Sequence, residues 1–519
     1  MSPRPPFTIR HFFIALIVVG ALMRAWGLND AWKRNDHYNF GGVWTTAYAE
    51  CWRTTPFAVD RGVVAIGCES AEPAYYRSHP PTIPWALAHF TSWLASPSAS
   101  YGYPEWSYRL FTLLFSWLNI FLVYRVARAA KLDSSVALSA AALQSTALGN
   151  MYFGTHLDFI SEFTVSFCLI AGWLALKSQN SWQWMLSSLA GVIAGLTAWP
   201  GTLVFAPLTI LAWWRSRRHT WIPLLGGTMS VLIAVLWMGW LQRPHHEPLP
   251  TSLYEFISSS ANRVMQFLEW KLLHPGYVKE AESLWVKPIK ILHNFLMSQS
   301  RLLGPLIAAL GLLELLRATR RRESQSLQVA LAAGGTGAVY ALMGQEYHRV
   351  HVFLYLLFTP ALIVLAAIRL QRLTSTPMPA TQPTTGRSRR IEAAFVFILA
   401  AVYPFGIYKS SPLLDALASI ALVGATLAAI HFTLRGTNSP AKPWLWPALI
   451  GLTALGNTFQ LLNYRAEPSR DREVCVQALE ASEATGFPIP AEILQASDAR
   501  RLLYCVRRHP QVDSPAGSP

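Results

Sequence analysis

Apolar runs of membrane-crossing length recur from one end of this chain to the other, and short clusters of arginine separate them. In lipid the backbone has no water to bond, so such runs must fold as helices or as a closed barrel. Runs near 20 residues suit helices, because a barrel strand needs only about 10. Hydrophobic residues make up 52% of the 519 and charged residues 14%, which points to an all-α polytopic membrane protein and away from a soluble domain. The net charge of +15 is not a nucleic-acid footprint, since the basic residues sit between apolar runs and not along one face.

The positive-inside rule orients the chain. Arg4 and Arg10, Arg125 to Lys131, Arg215 to Arg218, Arg317 to Arg322, Arg369 to Arg390, and Arg435 with Lys442 all belong in the cytoplasm. Spans over 11–28, 107–126, 134–154, 159–176, 183–198, 201–214, 221–241, 302–316, 327–344, 352–369, 392–408, 412–432 and 445–463 satisfy this, about thirteen in all. The N terminus is then cytoplasmic and the C terminus periplasmic. No small-residue cleavage site follows the first run, so it reads as an uncleaved anchor. Residues 80–97 are apolar enough to cross but open with Pro80, Pro81 and Pro84. Counting them would also reverse every later cluster, so they are expected to lie on the outer surface as an interfacial helix.

Cysteines give an independent check on this topology. Cys51 and Cys68 fall in the first outside loop and Cys475 and Cys505 in the polar C-terminal segment, so each pair lies on the oxidising side and is expected to close a disulfide. Cys168 falls in a span, as a small buried hydrophobe. The large loops, 29–106, 242–301 and 464–519, all face outward. The expected divisions are a transmembrane core over 1–370, a flexible cytoplasmic linker over 371–391, accessory helices over 392–463 and a small periplasmic segment over 464–519 with a disordered tail. Interfacial helices are expected in the loop over 251–300, which carries Arg263, Lys271 and His274. The chain has no GxxxxGK[ST], GxGxxG or HExxH pattern.

Chemistry is suggested by Asn35-Asp36-His37-Tyr38-Asn39-Phe40-Gly41-Gly42, just past the first span. A carboxylate at a bilayer edge is costly unless it has work to do. Tyr38 and Phe40 offer rings on which a sugar can stack, and Gly41-Gly42 allow close backbone approach. Three further stretches join it in order: Tyr75-Tyr76-Arg77-Ser78-His79-Pro80-Pro81, Glu105-Trp106-Ser107-Tyr108-Arg109-Leu110, and Tyr152-Phe153-Gly154 leading to Asp158. Trp199-Pro200-Gly201 and His348-Arg349-Val350-His351, ahead of Tyr355 and Pro360-Ala361-Leu362, complete the set. In this order the motifs resemble the GT-C glycosyltransferases that use a polyprenyl-phosphate sugar, among them protein O-mannosyltransferases (glycosyltransferase family 39) and bacterial aminoarabinose transferases. The resemblance covers roughly residues 8–370. Where the family has an Asp-Glu pair, this chain has Asp36-His37.

The resemblance implies a GT-C fold, a polyprenyl-phosphate sugar donor and an envelope glycan, lipid or protein acceptor. It makes Asp36 the catalytic base and Asp158 a catalytic-site group that either supports the residues around the base or positions the acceptor. Read without it, each is also compatible with a helix-terminal or solvated acid, and Asp30 is the rival base. His37 and Tyr38 are candidates for substrate contact. His79, His348, Arg349, His351 and Arg24 are candidates for the lipid phosphate, against the plainer role of snorkelling anchors; Arg24 has Asp30 as an alternative partner. Arg243, His245, His246 and Glu247 lack metal-ligand spacing, and the sequence leaves open whether a divalent cation takes part. A phosphate is a good leaving group, so one base suffices, and direct displacement inverts the anomeric centre. A transporter or flippase, the alternative class, would place its polar groups at mid-depth and often in repeated halves. The sequence therefore points to a glycosyltransferase of the bacterial inner membrane, embedded among lipids, with no nucleic-acid partner.

Overall fold

The computed structural model describes residues 7–26, 28, 45–46, 49, 52–53, 64–66, 74–76, 82–96, 103–157, 162–241, 286–343, 356–374, 386–402, 412–435 and 445–465. Helix α1 (Phe7–Ala25) is followed by a short ribbon of β1 (Val64–Ile66) and β2 (Ala74–Tyr76). Then come α2 (Thr82–Leu94), α3 (Glu105–Ala129), α4 (Ser134–Thr146), α5 (Leu148–Phe153), α6 (Glu162–Lys177) and α7 (Ser181–Thr197). After a 3-10 turn over Trp199–Val204 follow α8 (Phe205–Arg215), α9 (Trp221–Leu241), α10 (Val286–Leu303), α11 (Pro305–Arg321) and α12 (Ser324–Met343). The last described helices are α13 (Thr359–Thr374), α14 (Gly386–Val402), α15 (Pro412–Arg435) and α16 (Leu445–Arg465).

Helix α13 shows how the core is made. From Pro360 to Ile368 its residues are apolar on every side, and Ala361 through Ala367 are completely buried, as expected for a helix surrounded by others. It packs on α4, α11 and α12. Small residues let backbones approach closely elsewhere: a Cβ on Gly172 of α6 would lie 2.0 Å from the Ala332 carbonyl oxygen of α12, and one on Gly20 of α1 would lie 2.5 Å from the Ser145 carbonyl oxygen of α4. The helices expected to be accessory share this core. Val396, Ala425, Trp446 and Ile450 belong to the main hydrophobic cluster, and the Phe13 and Trp446 rings lie 4.7 Å apart.

Several expectations change in detail. The all-α expectation is amended by the antiparallel ribbon, which pairs Val64 with Tyr76, Ala65 with Tyr75 and Ile66 with Ala74; valine, isoleucine and tyrosine favour such pairing. The span expected over 134–154 breaks at Ala147, whose backbone is extended, giving α4 and α5. The run over 201–214 begins as a 3-10 turn at Pro200, where a missing N–H suits a helix start. Among the described residues, three helices are long and apolar enough to cross a membrane by length and composition: Trp106–Ala129, Arg217–Trp237 and Leu445–Leu462. Helix α2 is 13 residues long, about 20 Å, short of a hydrocarbon core of about 30 Å. It buries Ile83, Leu87, Ala88 and Thr91 against its neighbours and exposes Trp85 and Trp93. Cys168 is buried with a free thiol, and the four paired-cysteine positions lie outside the described residues.

Candidate functional site

The site is built where α1 ends, α4 ends and α6 begins. The carbonyls of a helix's last turn have no partner within the helix, and inside a bundle each needs a donor. At the end of α4 those donors come from other helices. Arg24 Nε donates to the Ser145 carbonyl (3.3 Å) and Nη2 to that of Gln144. Asn150 Nδ2 also reaches Gln144 O (3.3 Å), and Asn457 Nδ2 of α16 reaches Thr146 O (3.0 Å). The close approach at Gly20 makes this possible, because it holds α1 against α4 one turn before Arg24.

Arg24 also reaches α3, donating through Nη1 to the Ser116 carbonyl (3.0 Å) and hydroxyl. The same hydroxyl is within reach of the Glu162 carboxylate at the start of α6. Asn119, one turn further along α3, donates to both Glu162 Oε2 (2.5 Å) and its carbonyl oxygen (2.8 Å), and accepts from Ser166 Oγ (2.7 Å). Arg24 and Glu162 are 0% and 1% exposed, and Glu162 Oε1 makes no well-formed hydrogen bond among the described residues. A buried cation and a buried carboxylate thus interact across α3, Arg24 bonded to Ser116 and Glu162 to Asn119.

A second layer sits beyond this cluster, on the part of α3 that precedes Ser116. Ala49 of the first loop, Ile83, Leu87 and Ala88 of α2, Tyr108 of α3, and Leu157 and Phe163 form a separate buried apolar cluster, with Trp52 and Tyr103 packed on it. Arg53 ties the layer together. Its guanidinium lies 3.8 Å over the Tyr103 ring and donates to the Ala88 carbonyl (3.1 Å), to the Tyr108 hydroxyl (3.2 Å) and to Thr91. Arg109, buried one residue along, donates to the Thr155 carbonyl (3.1 Å), and the His156 ring stacks on Tyr152 at 4.2 Å. Ala49, Trp52 and Arg53 of the first loop are therefore packed with α2, the start of α3, Leu157 and Phe163.

Among the residues singled out in the sequence, Arg24 is placed in full view, with its guanidinium inside the protein and directed at α3 and α4. Asp30, Asp36, His37, Tyr38, Phe40, His79, Asp158, His348, Arg349 and His351 lie outside the described residues, as do Arg243, His245, His246 and Glu247. Sequence reading missed Glu162, Asn119, Ser116 and Arg53. A signal for Glu162 was present: it is the one acid in the otherwise apolar run of α6. Among the described residues no group of His, Cys, Asp and Glu is arranged to hold a metal ion.

No protein-family model matches the chain, and no curated protein matches it by sequence. Solved structures do. ArnT from Cupriavidus metallidurans in its apo state aligns at a TM-score of 0.51 and 16% identity over 90% of this chain and 79% of its own. The same protein bound to undecaprenyl phosphate aligns at a TM-score of 0.54 and 15% identity over 96% of this chain and 86% of its own. At that identity the likeness is one of fold, and the chain has the GT-C fold expected from its motifs.

Proposed function

We propose that this protein is a glycosyltransferase of the bacterial inner membrane that moves a sugar from a polyprenyl-phosphate donor to a cell-envelope acceptor at the periplasmic side, with inversion. The observation that carries this reading is the packing of Ala49 and Trp52 of the first loop and of α2 with Leu157 and Phe163, next to the buried Arg24 and Glu162, in a fold shared with an ArnT structure bound to undecaprenyl phosphate. That packing supports bringing together the two stretches that carry Asp36 and Asp158. The exposed apolar residues of α9, such as Leu224, Leu225, Val231 and Leu236, suit contact with lipid tails.

In the proposed reaction the acceptor hydroxyl attacks the anomeric carbon as its proton passes to Asp36. The bond from that carbon to phosphate oxygen breaks, and polyprenyl phosphate leaves with the electron pair. Arg349, His348, His351 and His79 are the cations assigned to the charge that grows on the phosphate, and Asp158 to holding the acceptor. Asp36→Asn keeps the shape and removes the base, so turnover by the purified, folded protein should fall roughly a hundredfold or more. Arg349→Ala should weaken donor use in both KM and kcat. Near-normal turnover by Asp36→Asn would move the base to Asp30 or Asp158.

The sidedness has its own test. Reporter fusions after Arg128 and Arg322 should score cytoplasmic and one after Arg465 periplasmic; a periplasmic score after Arg128 would overturn the topology. Disulfides Cys51–Cys68 and Cys475–Cys505 belong to the same proposal, and peptide mapping without reductant that found all four thiols free would reject them.

A further inference from the structure

The buried charges at the Arg24 end are more than the apolar packing there requires, and a carboxylate and a guanidinium are costly choices for a helix junction. Four helices meet in them. Arg24 is on the last turn of α1, Ser116 and Asn119 are on α3, Gln144 and Ser145 end α4, and Glu162 and Ser166 open α6. From the end of α1 the chain runs on to Asp36, and into the start of α6 it arrives from Asp158. The cluster therefore joins the two helix ends from which both assigned carboxylates depart, and it does so with directional bonds, which apolar contacts lack.

We infer that Arg24 and Glu162, hydrogen-bonded to α3 through Ser116 and Asn119 respectively, are positioning residues: a buried clamp that sets the end of α1 against the start of α6 and so holds the register of the two carboxylate-bearing stretches. This rests on the proposed glycosyl transfer for its catalytic consequence. Its structural content does not. A misplacement of about 1 Å in a reacting group can cost about a hundredfold in rate, so a clamp of this kind acts on turnover while leaving donor affinity alone. Apolar residues of similar size would keep the helices together without keeping that register.

The test compares full-length Arg24→Met, Glu162→Met, the double variant and Ser116→Ala. Each single methionine strands one charge and should lower the folded yield; the double variant should recover it, because no unpaired charge remains. If the clamp positions the carboxylates, the recovered double variant keeps the wild-type KM for a polyprenyl-phosphate sugar while kcat stays about tenfold or more down, and Ser116→Ala, which retains both charges, shows a smaller loss of kcat. Deuterium exchange should rise over 26–36 and 155–163 in the double variant. A double variant with wild-type kcat and wild-type exchange would overturn the inference, and a raised KM with unchanged kcat would replace positioning by direct donor contact. Should the wild-type protein transfer no sugar at all, the functional reading fails, and the exchange measurement still decides whether the clamp exists.

Discussion

At the Arg24 end, one arginine and one carboxylate are sealed from solvent and bonded to polar side chains and backbone carbonyls. Near the opposite end of the bundle, where α11 and α13 finish, carboxylates and arginines are arranged differently. Glu314 is fully buried and accepts from both Arg317 (3.3 Å) and Arg372; Glu323 accepts from the same two at 2.9 and 2.8 Å, and Arg369 pairs with Glu392 of α14. These arginines are 10–27% exposed at the side chain, so water reaches them. Among the described residues the second network has spare counter-charges and the first has none. Redundancy and solvent make charge forgiving at the Glu314 end, whereas at the Arg24 end each charge has one counter-charge among the described residues.

The sharpest way to break that contrast is Arg24→Met. It leaves Glu162 buried without its counter-charge, so unfolding in detergent should cost about 3–5 kcal/mol less than for the wild type. A change below about 1 kcal/mol would show that the Arg24 end is as tolerant as the other. Next comes Gly20→Val, whose side chain would collide with the Ser145 carbonyl and push α1 off α4. We expect a loss of about 1–3 kcal/mol, read by thermal unfolding, and none if α1 can tilt away freely.

Glu314→Gln should be milder than Arg24→Met, at about 1–2 kcal/mol, because Arg317 and Arg372 keep Glu323 and some water. Equal losses from the two variants would end the distinction between the ends. The smallest effect is the coupling of Arg317 to Glu323, which a double-mutant cycle should put at about 0.5 kcal/mol in dilute salt and near zero at about 1 M salt. Coupling that survives high salt would mean that this end is drier than its exposure implies.

The arginines of the Glu314 network were legible in the sequence as a cluster at one membrane face, yet not as ion pairs. Arg317 and Arg372 are 55 residues apart, and only the packing of α11 on α13 joins them. The break at Ala147 was equally hidden, since residues 134–154 read as one apolar run; the structure divides it where Asn150 turns back to the Gln144 carbonyl. The bounds of α9 and α16 fall close to the expected runs over 221–241 and 445–463, whereas α13 starts seven residues after its expected run and α14 six residues before.

Arg24 shows where sequence reading runs out. At the edge of an apolar run a lone arginine suits an anion, an interfacial anchor or a helix end equally well, for the side chain is long and its donors fit all three. Which one it serves depends on what lies within about 3 Å of its nitrogens, and those groups come from residues some 90 to 120 positions away.

Composition and the spacing of apolar runs were enough to establish a many-helix chain, because each helix closes its own hydrogen bonds and hydropathy is a local property. Motif order was enough to suggest the GT-C fold. The tertiary structure alone decided that the last three helices share the core, that Glu162 answers Arg24, and that Ala49 and Trp52 pack with Leu157 and Phe163. The reason is physical: burial and the matching of donors to acceptors are relations between distant segments, and no local pattern contains them.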